Sequence, residues 1–124
     1  MLKGMDEMFN FPGWSWILDP LEKLVIPSDR GDILFMHGDE MGGTPAQKAV
    51  TLGYNIIQGH THKCSTVYVQ TMDKFFFGHE AGHLMDSGSK AAMYAARNPR
   101  GGALGFTVIK HGVVYWIPAD NGQV

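Results

Sequence analysis

Ile33-Leu34-Phe35-Met36-His37-Gly38-Asp39 and, further on, Asn55-Ile56-Ile57-Gln58-Gly59-His60-Thr61-His62 are the stretches that decide the fold. Each opens as a short apolar run suited to a buried strand and closes on glycine and histidine. Between them, Thr44-Pro45 reads as an N-cap followed by proline at the first helical position, where its missing N–H has no partner to lose. Ala46, Ala49, Val50 and Leu52 suit the buried side of a two-turn helix that Gly53 ends. Strand, helix and strand, with polar loops at the strands' C-terminal ends, predict a sheet that carries its functional loops at its carboxyl edge.

Outward from this unit, Leu24-Val25-Ile26 reads as a short strand closed by Pro27, and Ser28-Asp29-Arg30-Gly31 as a turn. Residues 66–69, 74–77, 106–109 and 113–117 read as further strands, the last two joined by a Lys110-His111-Gly112 hairpin turn. Residues 1–10 and 89–97 read as short helices. Asn10-Phe11-Pro12-Gly13 reads as a turn, and residues 14–18 as an apolar patch. The fold class expected is α/β, a mixed sheet with few helices, in a single domain over residues 1–124 with no internal repeat.

Composition narrows the function. Of the 124 residues, 44% are hydrophobic and 18% charged, which is globular rather than disordered. Ten Lys plus Arg against twelve Asp plus Glu, a net charge of −2, include no basic run that would neutralise a row of phosphates. The lone Cys64 has no internal disulfide partner, so a reducing cytoplasm is the expected compartment. The longest apolar stretches fall far short of the roughly 20 residues that span a bilayer, so no membrane partner is expected.

The strand ends place His37, His60 and His62 within reach of one point if their strands are neighbours. Imidazole nitrogen binds Zn, Mn, Fe or Ni well, and Gly38 and Gly59 let the backbone turn sharply enough for the rings to converge. His-Gly pairs are also ordinary loop residues, and chemistry alone leaves both readings open.

In order and spacing, residues 33–39, a helix, a strand and then Gly59-His60-Thr61-His62-Lys63 resemble the C-terminal half of calcineurin-like metallophosphoesterases. Glu80-Ala81-Gly82-His83-Leu84, Tyr94, Asn98 and Gly105-Phe106-Thr107-Val108 extend the likeness to small members often found in bacteriophage genomes. The resemblance implies half of a β-sandwich flanked by helices, and a manganese-type phosphatase or phosphodiesterase chemistry in a bacterial or phage-infected cell. It also implies that His37 and His60 bind the second metal of a dinuclear centre and His62 the first. Such centres hold a hydroxide between two divalent ions.

The family's other ligands lie in D-x-H, G-D-x-x-D and G-N-H-[DE] motifs, and none of the three occurs here. Asp29-Arg30-Gly31-Asp32 is not D-x-H, and Gly78-His79-Glu80 lacks the asparagine and follows the histidine pair. The bridging carboxylate and catalytic histidine are therefore missing, and a dinuclear centre is expected only in a completed site. The expected partner is a second polypeptide carrying the N-terminal half, or another copy of the chain. The expected substrate is a phosphorylated small molecule or nucleic acid, hydrolysed as a phosphomonoester or phosphodiester. A split enzyme of this kind predicts an exposed sheet edge and apolar surface on the isolated chain; an inactive binding or assembly remnant is the alternative.

One motif competes. His79-Glu80-Ala81-Gly82-His83 fits H-E-x-x-H, in which a helix presents two histidines to zinc with a glutamate base between them. Gly78 and Gly82 each cost about 1 kcal/mol in a helix relative to alanine, and Phe75-Phe76-Phe77 favours a strand, so a zinc protease is the weaker alternative. Under the phosphoesterase resemblance, Asp39, Thr61, Glu80 and His83 become candidates for supporting the ligands or lining the cleft. Asp39 either orients His37 or caps the loop. His79 reads as a structural histidine, Cys64 as a small core residue, and Trp14, Trp16 and Trp116 as core or interface anchors.

Overall fold

The computed structural model describes residues 12–13, 23–85 and 102–119. These form β1 (Leu24–Ile26), β2 (Ile33–Met36), α1 (Pro45–Leu52), β3 (Asn55–Gln58), β4 (Cys64–Gln70), β5 (Phe75–Ala81), β6 (Gly105–Lys110) and β7 (Val113–Pro118). The helices expected over 1–10 and 89–97, the patch over 14–18, and Trp14, Trp16, Tyr94 and Asn98 lie outside the described residues; Pro12-Gly13 is a turn.

The chain reads locally as its residues dictate around α1. The Thr44 hydroxyl accepts from the Gln47 backbone N–H at 3.3 Å, and the Gln47 side chain accepts from the Thr44 N–H at 2.8 Å, a reciprocal cap. Gly53, with φ at 76°, ends the helix in the left-handed region and donates its N–H to the Ala49 carbonyl.

The five-stranded sheet runs β1-β2-β3-β5-β4, and β6-β7 form a separate two-stranded hairpin. β2, β3 and β5 are parallel, while the edge strands β1 and β4 are antiparallel to their neighbours. The domain is therefore α/β with few helices, as composition and pattern predict. At the hairpin turn His111 and Gly112 both have positive φ, at 51° and 69°, matching the left-handed pair that two-residue hairpin loops favour.

Consecutive apolar pairs explain the layering. Successive strand side chains point to opposite faces, so Ile33-Leu34, Ile56-Ile57 and Phe76-Phe77 each feed both. Leu34, Ile56 and Phe76 pack with Ala49 of α1. Ile33, Ile57 and Phe77 form the other cluster, against Ile109 and Val114 of the hairpin. The sheet is thus covered by α1 on one side and by β6-β7 on the other.

Three expectations differ from the structure. Val50, predicted on the helix's buried side, is 43% exposed, and Lys48 is buried instead. The strand expected to stop at residue 77 continues to Ala81, because Gly78 marks a close approach of α1 rather than a break. A Cβ at Gly78 would lie 2.2 Å from both the Ala46 nitrogen and the Pro45 carbonyl carbon. Continuous pairing with β5 also lengthens β4 to the whole of Cys64–Gln70.

Asn55, 3% exposed, is the polar joint of the sheet. Its Nδ2 donates to the Arg30 and Gly31 carbonyls, each at 3.1 Å, and its Oδ1 accepts from the Phe77 N–H at 3.0 Å.

At the far edge β4 carries no charged residue, has no strand on its outer side among the described residues, and exposes Val67 and Tyr68. Long uncharged edges invite pairing. We expect concentration-dependent self-association by analytical ultracentrifugation, lowered by Val67→Lys; a monomer at all concentrations would contradict this.

Candidate metal-binding site

Because β2, β3 and β5 are parallel and Met36, Gln58 and Glu80 lie level across them, their carboxyl ends open onto one edge of the sheet. His37-Gly38-Asp39 leaves β2, Gly59-His60-Thr61-His62 leaves β3, and Gly82-His83 leaves β5. The two strand ends read from the sequence as histidine-bearing are thus neighbours.

One ligand atom from each of His37, Asp39 and His60 lies within 4.8 Å of the other two, and all three residues are exposed. His60 Nδ1 stands 3.1 Å from His37 Nε2, with the rings edge to face. Two nitrogens each about 2.05 Å from one tetrahedral ion stand roughly 3.3 Å apart, so the pair is close to a shared-ion spacing. Two imidazoles and a carboxylate are a donor set for Zn, Mn, Fe or Ni.

Neighbouring groups hold these side chains. Glu40 accepts from the His37 N–H at 3.0 Å and the Gly38 N–H at 2.7 Å, so the loop is capped by Glu40 and not by Asp39. Slight burial works to raise the Glu40 carboxyl, but the backbone amides of Glu40 itself, Gly38 and His37 outweigh it and hold the carboxyl below its ordinary value. Lys48, 1% exposed, reaches up from α1 and donates to the Gly38 carbonyl at 2.7 Å and to Gln58 Oε1 at 2.8 Å. One ammonium therefore ties the ends of β2 and β3 together.

His60 and His62 both have positive φ, at 65° and 58°. The left-handed region costs non-glycine residues roughly 1–2 kcal/mol each, and such conformations persist where surrounding contacts over-determine them. Thr61, between them, donates its hydroxyl to Glu80 Oε1 at 2.8 Å, and the Ser65 hydroxyl donates to Glu80 Oε2 at 2.6 Å.

His62 stands outside the three-residue cluster, its ring 5.1 Å from that of His83. His83 Nδ1 accepts from the Met85 N–H at 3.3 Å, and a Cβ on Gly102 would lie 2.2 Å from its Nε2. His83 Nδ1 is thus engaged, and its ring packs beside that of His62. Burial first, and the neighbouring His62 second, lower the pKa of His83.

The zinc-protease alternative fails on backbone geometry. His79, Glu80 and Ala81 belong to β5, and Gly82 then turns at φ 76°, so no helix presents His79 and His83 together. His79 is fully buried, its Nδ1 2.8 Å from Thr66 Oγ1 and its Nε2 2.7 Å from Thr107 Oγ1, which leaves no nitrogen for a metal. Both Glu80 oxygens are occupied by hydroxyls.

His79 links the sheet to the hairpin as a neutral ring. Burial lowers its pKa from 6.5, outweighing the Ser65 backbone and the Glu80 charge, which favour the imidazolium. The unfolded chain then binds the proton more readily, so stability is full above about pH 6.5 and falls as pH drops through the lowered folded value. Melting curves from pH 7.5 to 5 should show a falling Tm, with a shallower fall in His79→Gln; equal slopes would refute the assignment.

Cys64 is half-buried, and burial followed by the Glu80 charge raises its thiol pKa, which disfavours a nucleophilic thiolate. Trp116 Nε1 is buried without a hydrogen-bond partner among the described residues. No helix among the described residues is long and apolar enough to cross a membrane.

Comparison with protein-family models, curated proteins and solved structures gives no match.

Three supporting residues escape a reading of the sequence: Glu40, Lys48 and Gln58. Glu40 had a signal, an acidic side chain four residues past the strand end, placed to reach back to free N–H groups. Lys48 also had one, since Pro45, Lys48, Ala49 and Leu52 follow the i, i+3, i+4, i+7 spacing of a single helix face.

Proposed function

We propose that the chain supplies one half of the metal centre of a phosphoester hydrolase, the remaining ligands coming from outside this sequence. The observation that carries the reading is the convergence of His37, Asp39 and His60 at the ends of adjacent parallel strands. In their support, Glu40 and Lys48 fix the loop that bears His37 and Asp39, and the strained backbone aims His60 into the same space.

His37, Asp39 and His60 would hold one divalent ion. His62, on the far side of its loop, would face a second ion completed by the missing carboxylates. Such ions supply a hydroxide at neutral pH and neutralise charge on a phosphoryl group. The exposure of the three ligands leaves room for a second polypeptide, or another copy, to close the site.

The test is hydrolysis of p-nitrophenyl phosphate and of a bis-ester with Mn²⁺, using the chain alone and with the product encoded immediately upstream. Activity only in the mixture is the expected result. Metal uptake without activity in either case would favour a binding or assembly role for the same fold, to which the open β4 edge is suited. Absence of both metal and activity would overturn the hydrolase reading.

A further inference from the structure

We infer that Thr61, Glu80 and Ser65 form a latch that sets the aim of both loop histidines, so that Thr61 and Glu80 are positioning residues of the metal site proposed above, on which the inference rests. His60 and His62 flank Thr61, and both sit in the left-handed region, so the chain reverses its hand twice around one residue. A loop of this shape keeps its form only if its centre is held.

Thr61 is held three ways. Its N–H donates to the Gly59 carbonyl at 2.7 Å, its hydroxyl donates to Glu80 Oε1 at 2.8 Å, and the same oxygen accepts from the Lys63 N–H at 3.4 Å. Glu80 is itself fixed. It is level with Ser65 across the β4-β5 pair, and the Ser65 hydroxyl occupies its other oxygen at 2.6 Å. A carboxylate accepting two hydroxyls, one from the loop and one from the edge strand, joins the histidine loop to the sheet's rigid frame.

This assigns the glutamate a task other than proton transfer. It also explains why a threonine lies between the histidines: its hydroxyl reaches the carboxylate while its N–H and oxygen stabilise the two turns. Partners that orient metal ligands typically change affinity 10–100-fold when removed.

The test compares Thr61→Val, which keeps the shape and loses the hydroxyl, with Thr61→Ser, which retains it. Co²⁺ titrations followed by visible absorption should give at least a 10-fold weaker affinity and altered band positions for Thr61→Val. Thr61→Ser should remain within roughly threefold of the parent. Parent-like affinity and spectrum in Thr61→Val would overturn the latch.

Amide exchange in the metal-free chain is the second measurement. Lys63 should exchange at least about 10-fold faster in Thr61→Val, whereas unchanged exchange would overturn the latch whether or not cobalt binds. If the parent takes up no cobalt but Thr61→Val loosens Lys63, the metal reading fails and the latch stands. Should Thr61→Val not fold, Ser65→Ala, which frees one Glu80 oxygen, is expected to show the same two effects in smaller measure, and parent-like behaviour there overturns the latch.

Discussion

Gly78→Ala is expected to lose about 3 kcal/mol or more of stability, and with it roughly 10 °C of melting temperature. The added methyl meets backbone, not a flexible side chain. It would stand 2.2 Å from the Ala46 nitrogen and the Pro45 carbonyl carbon, so α1 must lift from the sheet to admit it. Lifting α1 loosens the contact of Ala49 with Leu34, Ile56 and Phe76 and draws Lys48 away from the strand ends it ties.

Gly53→Ala is the control. It meets nothing within 4 Å and suffers only the left-handed φ of the helix cap, for a loss of about 1 kcal/mol. Urea denaturation of both variants measures the difference. Equal losses would mean that backbone conformation, and not the close approach of α1, governs Gly78.

The second large effect concerns the ligands. His60→Ala should weaken Co²⁺ or Mn²⁺ binding at least ~100-fold, about 2.7 kcal/mol, because it removes one of only two nitrogens in the cluster. His62→Ala should leave the same affinity within a few-fold, since His62 lies against His83 and outside that cluster. Isothermal titration of the two variants decides the point. Comparable losses would place both rings on one ion and contradict the separation of the two histidines.

The parts of this fold that could be read in advance are those where local chemistry and tertiary need agree. Thr44-Pro45 and Gly53 bracket α1 because a cap, a fixed φ and a left-handed terminus are properties of those residues themselves. His37 and His60 came together because parallel strands bring their carboxyl ends to one edge.

Elsewhere distant contacts set the meaning of a residue. Gly78 looks like a strand end until α1 is laid against it. Val50 and Lys48 exchange places because an ammonium is buried only where acceptors await it, and the Gly38 carbonyl and Gln58 come from two other elements. His79-Glu80-Ala81-Gly82-His83 matches a helical motif by residue type, and it is the neighbouring strands β3 and β4 that draw its first three residues into extended form.

Asn55 bears on how the chain avoids folding wrongly. The central strands carry apolar residues in adjacent pairs, so a one-residue slip of β3 would replace Ile56 by Ile57 on one face with little loss of burial. Hydrophobicity therefore proofreads this sheet poorly. Only one alignment brings the Asn55 amide to Arg30, Gly31 and Phe77 at once, and every slipped pairing strands a buried carboxamide. The histidine edge, just beyond the end of the same strand, inherits its register from that polar side chain.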